Sequence, residues 1–188
     1  MKTVTAIVGQ KKDKKRVNVY LDGEFCCGMD LFTVMSERIK VGTEIDEKRL
    51  EEVVARSEYS SALDKALGYI SKTMRTKVQL ITYLKGKNYD GKTIAKVIDK
   101  LFEYGYVDDE LYAKRFAAEK KLSKGKRAIA YELKIKGVDE KTIDKVMDEA
   151  ESEDEGCMRV AVKYLKGREL DFETRGKCYS YLLSKGFS

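Results

Sequence analysis

The sequence contains no histidine and no proline. Histidine is the commonest general base and the commonest metal ligand in proteins. Its absence therefore excludes Ser-His-Asp and Cys-His catalytic sites and the H-E-x-x-H zinc motif. The absence of proline suits long helices joined by short turns. Both absences argue against an enzyme.

Cysteine is scarce, and long apolar runs are missing. Cys26 and Cys27 are adjacent, whereas Cys157 and Cys178 lie far away without C-x-x-C spacing, so neither a disulfide framework nor a zinc knuckle is predicted. No segment approaches the ~18 apolar residues of a membrane span. The first residues lack the apolar core of a signal peptide. We therefore predict a cytoplasmic protein with no membrane segment, metal or cofactor.

Positive charge is concentrated in the middle of the chain. Residues 62–138 carry 18 basic and 9 acidic side chains, whereas residues 1–61 carry 11 of each and residues 139–188 carry 9 basic and 12 acidic. The net charge of +6 thus arises entirely in the central segment. Such a concentration is typical of proteins that bind a polyanion or a strongly acidic protein surface.

The N-terminal segment has the pattern of a small sheet. Two β-branched runs and the tight-turn signal Asp22-Gly23 predict a three-stranded meander over Thr3–Val8, Arg16–Leu21 and Glu24–Cys27. A short helix is predicted around Met29–Ile39. Gly42–Asp46 is then predicted to be a turn, with Asp46 capping a helix over Glu47–Ser57.

An internal repeat with an offset of 49 residues organises the remainder. Ten of the sixteen residues in 84–99 are identical in 133–148, and the end of the chain begins a third copy that stops before its last helix. The spacing of Ile94, Val97, Ile98 and Leu101 is that of a buried helical face, and aspartates at positions 90, 108 and 139 are predicted N-caps. We predict a mainly α fold of tandem three-helix repeats in an elongated curved array. The predicted divisions are 1–58, 59–107, 108–151 and 152–188.

Three motifs resemble the RecX family. They are Arg75–Lys85, similar to that family's basic second helix but with Gln79 where glutamate is usual; Tyr104–Ala117, with its G-Y-x-D-D start; and Lys124–Gly137, similar to K-G-x-x-x-I-x-x-E-L-x-x-K-G. The strand-rich start is similar to the extension of Gram-positive members. The resemblance implies a monomeric, non-enzymatic regulator of recombination and the SOS response. Such a regulator lies in the groove of the RecA filament on single-stranded DNA and modulates, chiefly by inhibition, ATPase, strand exchange and co-protease activity.

Ten cations are the predicted filament-binding residues. Five of them lie between positions 120 and 127, where the chain contains no acidic residue, and this favours a polyanion over a merely solvated helix face. We predict that reversing the charges at 124, 126 and 127 together weakens regulation with little loss of helicity. Direct contact with DNA and contact with acidic patches of RecA both remain open. The ten residues are Lys72, Arg75, Lys77, Lys114, Arg115, Lys120, Lys121, Lys124, Lys126 and Arg127.

Two other patterns have alternative interpretations. Seven tyrosines lie among the cations and could stack on bases, but packing between helices is the better explanation for most of them; they are Tyr69, Tyr83, Tyr89, Tyr104, Tyr106, Tyr112 and Tyr131. The acids Asp108, Asp109 and Glu110 could hold nuclease metals, although helix capping explains them more simply. The main alternative function is an independent helical DNA-binding or transcription-regulating protein.

Overall fold

The computed structural model describes residues 1–188, in which four strands and nine helices form two compact units. One unit comprises residues 1–73 and 81–104, and the other comprises 74–80 and 105–188. None of the helices is long and apolar enough to span a membrane. The elements are β1 (Lys2–Gly9), β2 (Arg16–Leu21), β3 (Glu24–Asp30), α1 (Leu31–Ser36), β4 (Glu44–Ile45), α2 (Glu47–Ile70), α3 (Lys77–Lys85), α4 (Gly91–Glu103), α5 (Asp109–Lys120), α6 (Lys126–Ile135), α7 (Glu140–Glu149), α8 (Asp154–Leu165) and α9 (Phe172–Ser184).

An antiparallel sheet with the strand order β3-β2-β1-β4 forms the start of the first unit. The three predicted strands are present, but the predicted turn at Gly42–Asp46 contains a fourth strand, β4, which pairs with Lys2 and Thr3 of β1. Two residues are too few to show the alternation of a strand in the sequence. Alternate residues of β2 point into the core, which comprises Val4, Val17, Val19, Leu21, Met29, Val34, Ile39, Ile45 and Val53.

Helix α2 connects the sheet to the first helical repeat. Asp46 caps it as predicted, since its side chain accepts a hydrogen bond from Arg49 N at 2.8 Å. The helix does not end at Ser57 but continues to Ile70 as one 24-residue segment. The Ser57 hydroxyl is buried and accepts a hydrogen bond from the backbone N–H of Asp30, and the later part of α2 contacts α4. One helix therefore replaces the two that the sequence predicts on either side of position 58.

The predicted N-caps and apolar stripes of the repeats are confirmed. The aspartate side chains at 90, 108 and 139 accept hydrogen bonds from the first-turn N–H groups of α4, α5 and α7. The apolar face of α4 is buried from Ile94 to Leu101. In the second unit, α5, α6 and α7 share a core, and the prediction of a mainly α fold with tandem three-helix repeats is confirmed. The core shared by α5, α6 and α7 comprises Ala113, Ala117, Ile129, Leu133, Val138, Ile143, Val146 and Met147.

Within the second unit, residues at the 49-residue offset make equivalent contacts through different donor groups. The Thr76 hydroxyl donates to the carbonyl of Lys136 at 2.6 Å, and the N–H of Gly125 donates to the carbonyl of Lys185 at 3.0 Å. Each acceptor precedes a glycine with a positive φ, and Thr76 and Gly125 are both buried. The start of α3 thus packs on the turn that follows α6, and the start of α6 packs on the turn that follows α9.

Candidate polyanion-binding surface

Nine of the ten predicted cations lie in the second unit, and Lys72 lies in the first. Arg75 lies just before α3 and Lys77 is the first residue of α3, whereas the remaining seven lie on α5, on the α5–α6 turn and at the start of α6. Because α5 and α6 are consecutive in the chain and packed against each other, they bring cations from positions 114 to 127 together.

Four lysines border one cavity of about 400 Å³ in the second unit; we call them the lysine face, and they are Lys114, Lys121, Lys124 and Lys126. Apolar side chains of α5, α6 and α7 line the same cavity, among them Ala117, Ile129, Val146 and Met147. Residues 149–153, from the last residue of α7 to the residue before α8, form another part of its border. We call this segment the acidic linker because it contains Glu149, Glu151 and Glu153.

Acidic partners of the lysine face come from distant parts of the sequence. Lys121 pairs with Glu151 at 2.8 Å, and Lys114 pairs with Glu149 at 3.0 Å. The hydrogen bond that Lys121 donates to Glu151 raises the pKa of Lys121 and lowers the pKa of Glu151. The absence of acids in the local sequence therefore does not leave these cations without partners.

Three further ion pairs involve the predicted cations. Glu110 pairs with Lys114 at 2.8 Å, Lys120 pairs with its neighbour Glu119 at 2.7 Å, and Lys124 pairs with Glu132. Hydrogen bonds to Glu110 and Glu149 raise the pKa of Lys114 above its usual range. All of these pairs are partly exposed, and such pairs contribute little to stability, so a competing anion could exchange for them.

Lys126 has a structural role that the sequence did not predict. Its ammonium group donates to the carbonyls of Met147 and Ala150 at 3.0 and 2.9 Å, where a cation satisfies unpaired carbonyls at the end of α7. Its backbone N–H donates to Glu153 at 2.8 Å. Reversing the charge of Lys126 removes both side-chain bonds to the end of α7, and reversing the charge of Lys124 removes its ion pair with Glu132, so the triple reversal tests packing as well as binding.

The other predicted cations differ in their surroundings. Arg127 is exposed and makes no ion pair, and Lys72 is also exposed. The guanidinium of Arg115 contacts the sulfur of Met74 at 3.4 Å. The backbone N–H of Lys77 donates to the carboxylate of Asp109 at 2.9 Å.

The tyrosines divide into packed and exposed groups. Tyr69 and Tyr83 stack with ring centroids 4.1 Å apart, Tyr112 stacks with Phe116, and the hydroxyl of Tyr89 is hydrogen-bonded to Ser61. These four tyrosines pack against other side chains of the protein, as expected if their role is packing between helices. The remaining three are more than half exposed; they are Tyr104, Tyr106 and Tyr131.

The three consecutive acids that could have held a metal each contact a different group. Asp108 caps α5 by accepting from Leu111 N at 2.8 Å, and Asp109 accepts from Lys77 N. Glu110 bridges Lys114 and Lys145, both at 2.8 Å, and these hydrogen bonds lower the pKa of Glu110 to about 2. No group of three histidine, cysteine, aspartate or glutamate side chains is placed to hold a metal. All four cysteines are free thiols.

The sequence pattern alone did not identify the acidic linker as a partner of the lysine face. Its glutamates contact the lysine face or the start of α6, and Glu153 also accepts two hydrogen bonds from Ser188 at 2.7 Å. The signal in the sequence is the concentration of glutamates that follows the basic segment, because clustered charges of opposite sign attract each other when folding brings them close.

Family comparisons match both the sheet and the repeats. The model of the regulatory protein RecX N-terminal domain matches residues 2–46. Those of the first and second three-helix domains of RecX match residues 62–101 and 108–147. The chain belongs to the RecX family. The second RecX domain contains α5, α6 and most of α7, and therefore all four residues of the lysine face.

RecX relatives match along the whole chain. Regulatory protein RecX of Clostridium tetani is 32% identical, with 98% of this chain and 88% of the relative covered. The protein of the same name from Clostridium beijerinckii is 34% identical, with 100% and 91% covered. A crystal structure of regulatory protein RecX has a TM-score of 0.72 and 26% identity, with 100% of this chain and 95% of that chain covered. RecX from Lactobacillus salivarius shares the fold, with a TM-score of 0.65 and 23% identity over 70% of this chain and 89% of that one.

Proposed function

We propose that this RecX-family protein regulates homologous recombination by binding the RecA filament on single-stranded DNA. Binding inhibits the RecA ATPase, strand exchange and co-protease activity. The observation that carries this proposal is membership of the RecX family along the whole chain, from the sheet to the second three-helix domain. The protein acts in the cytoplasm as a monomer, without a cofactor and without catalysing a reaction.

The contact surface in this proposal comprises the lysine face, Arg127 and the remaining predicted cations. Arg127 is exposed without an ion pair, so it contacts the filament without first losing an internal partner. Lys114, Lys121 and Lys124 form ion pairs at the surface, where such pairs exchange readily. Phosphate groups or carboxylates of the filament can therefore replace the internal partners.

The test of function is the RecA ATPase on single-stranded DNA, followed over time with this protein present well below one molecule per RecA. A progressive loss of ATPase supports capping or disassembly of the filament. An unchanged ATPase together with tight, salt-sensitive binding to bare DNA instead supports an independent DNA-binding protein.

The test of the surface uses substitutions that preserve the structural bonds of Lys124 and Lys126. We expect Lys121→Gln with Arg127→Gln to raise several-fold the concentration needed for half-maximal inhibition, because two cations are removed from the surface. The matched control, Lys92→Gln with Lys96→Gln, removes the same charge from exposed positions of α4. Equal inhibition by the two double variants would refute the assignment of the surface.

A further inference from the structure

The acidic linker contacts the cations of the proposed binding surface through a series of carboxylates. Glu149 pairs with Lys114 at 3.0 Å, Glu151 pairs with Lys121 at 2.8 Å, and Glu153 accepts from the backbone N–H of residue 126 at 2.8 Å. The three glutamates are two residues apart in the sequence, and the residues that they contact, 114, 121 and 126, follow one another from α5 to the start of α6.

The backbone leaves helical geometry at the start of the linker. Helix α7 ends at Glu149, and Ala150 has extended geometry with φ of −70° and ψ of 140°. Glu153 departs from extended geometry, with φ of −87° and ψ of 4°, so each of the three carboxylates is placed by its own contact. The linker thus presents negative charges at intervals along a positive surface, as the backbone of a nucleic acid presents its phosphates.

We propose that the acidic linker is an internal competitor of single-stranded nucleic acid for the lysine face. Phosphates bind Lys114 and Lys121 after the carboxylates of Glu149 and Glu151 have left them. The proposal deepens the proposed function, since it adds regulation to the same surface.

The two ion pairs are suited to reversible release. The side chains of Lys114 and Lys121 are 44% and 47% exposed, and those of Glu149 and Glu151 are 50% and 82% exposed. Water and salt therefore screen both pairs. The cavity bordered by the linker also leaves space beside α5 and α6. Glu153 is different, because its bonds to the start of α6 and to Ser188 anchor the far end of the linker.

The test compares two double variants for binding to an oligothymidylate at fixed ionic strength. Glu149→Gln with Glu151→Gln removes the competing charges and leaves Glu153 in place. Asp148→Asn with Asp154→Asn gives the same change in net charge beside the linker, at exposed residues that form no ion pair with the lysine face. We expect the first variant to bind about 3- to 10-fold more tightly than the second, the range that two exposed ion pairs allow.

Hydrogen exchange provides a direct measure of release. In the wild-type protein, we expect the amides of residues 150–153 to exchange faster when the oligonucleotide is bound. Equal affinities of the two double variants, unchanged exchange in the linker, or no binding of the oligonucleotide by any form would overturn the proposal. These outcomes are separate from the proposed function, because inhibition of the RecA ATPase by the wild-type protein is measured independently.

Discussion

Gly137 and Gly186 lie at equivalent positions of successive repeats. At both positions the backbone conformation and the close packing of neighbouring atoms require glycine. Their φ angles of 82° and 84° lie in the left-handed region that glycine favours. A Cβ atom at Gly137 would lie 2.4 Å from the Cβ of Val78, and one at Gly186 would lie 2.4 Å from the backbone nitrogen of Ala128. The two glycines allow the turn of one repeat to approach the helix start of the preceding repeat.

Replacing Gly137 with alanine should therefore destabilise the second unit strongly. The positive φ and the overlap with Val78 together are expected to lower the free energy of unfolding by about 2–5 kcal/mol. Denaturation by urea measures the change. The matched control is Gly176→Ala within α9, where a Cβ meets nothing within 4 Å and helix propensity should increase stability by up to about 1 kcal/mol. A Gly137→Ala variant as stable as the wild type would show that the turn relaxes at little cost.

Glu110, one of the three acids that could have held a metal, forms ion pairs that connect α5 to α7. Glu110 on α5 accepts from Lys114 on the same helix and from Lys145 on α7. The hydrogen bonds from these two lysines lower the pKa of Glu110 from 4.5 to about 2. Because the folded-state pKa is the lower one, the pairing stabilises the fold above pH 4.5 and is lost as the pH falls toward 2.

The variant Glu110→Gln should accordingly have a weaker pH dependence of stability. We expect the wild-type protein to be the more stable at neutral pH, and the difference between the two to shrink as the pH falls from 4.5 to 2. Urea unfolding at a series of pH values tests this. Glu44→Gln, at an exposed residue of β4 that forms no ion pair, is the control and should follow the wild type. A constant difference between Glu110→Gln and the wild type over this range would contradict the explanation.

At the scale of the whole molecule, the compact units do not coincide with the sequence repeats. Residues 74–80 belong by sequence to the first repeat, yet they lie in the second unit. Thr76 donates to the carbonyl of Lys136, and the N–H of Lys77 donates to Asp109, whose pKa is raised by burial. A fragment limited to the second and third repeats lacks both donors.

We therefore expect a fragment of residues 74–188 to melt at a higher temperature than one of residues 105–188. Loss of residues 74–80 leaves the half-buried carboxylate of Asp109 and the carbonyl of Lys136 without these partners, and unsatisfied buried groups are costly. Thermal unfolding followed by circular dichroism compares the fragments. A fragment of residues 81–188 retains α4 but not the donors, and should melt like 105–188. Equal melting temperatures for 74–188 and 105–188 would refute this division.

The sequence by itself determined the features that depend on residues close together in the chain. The N-caps at Asp46, Asp90, Asp108 and Asp139 were predicted correctly, because a cap bonds to N–H groups two or three residues away. The buried stripe of α4 follows from its helical spacing, and the 49-residue period reveals the repeats directly. Family membership was likewise predictable, since its motifs are local and ordered along the chain.

The tertiary structure alone decided which groups meet across long separations. Strand β4 was missed because its pairing with β1 joins residues about 40 apart and leaves no local pattern. The partners of the lysine face were missed for the same reason. Lys121 lies in the stretch 120–127, which contains no acidic residue, but the acidic linker brings Glu151 to within 2.8 Å. Electrostatic pairing depends on distance in space, so a locally basic segment can be neutralised by residues that only folding brings to it.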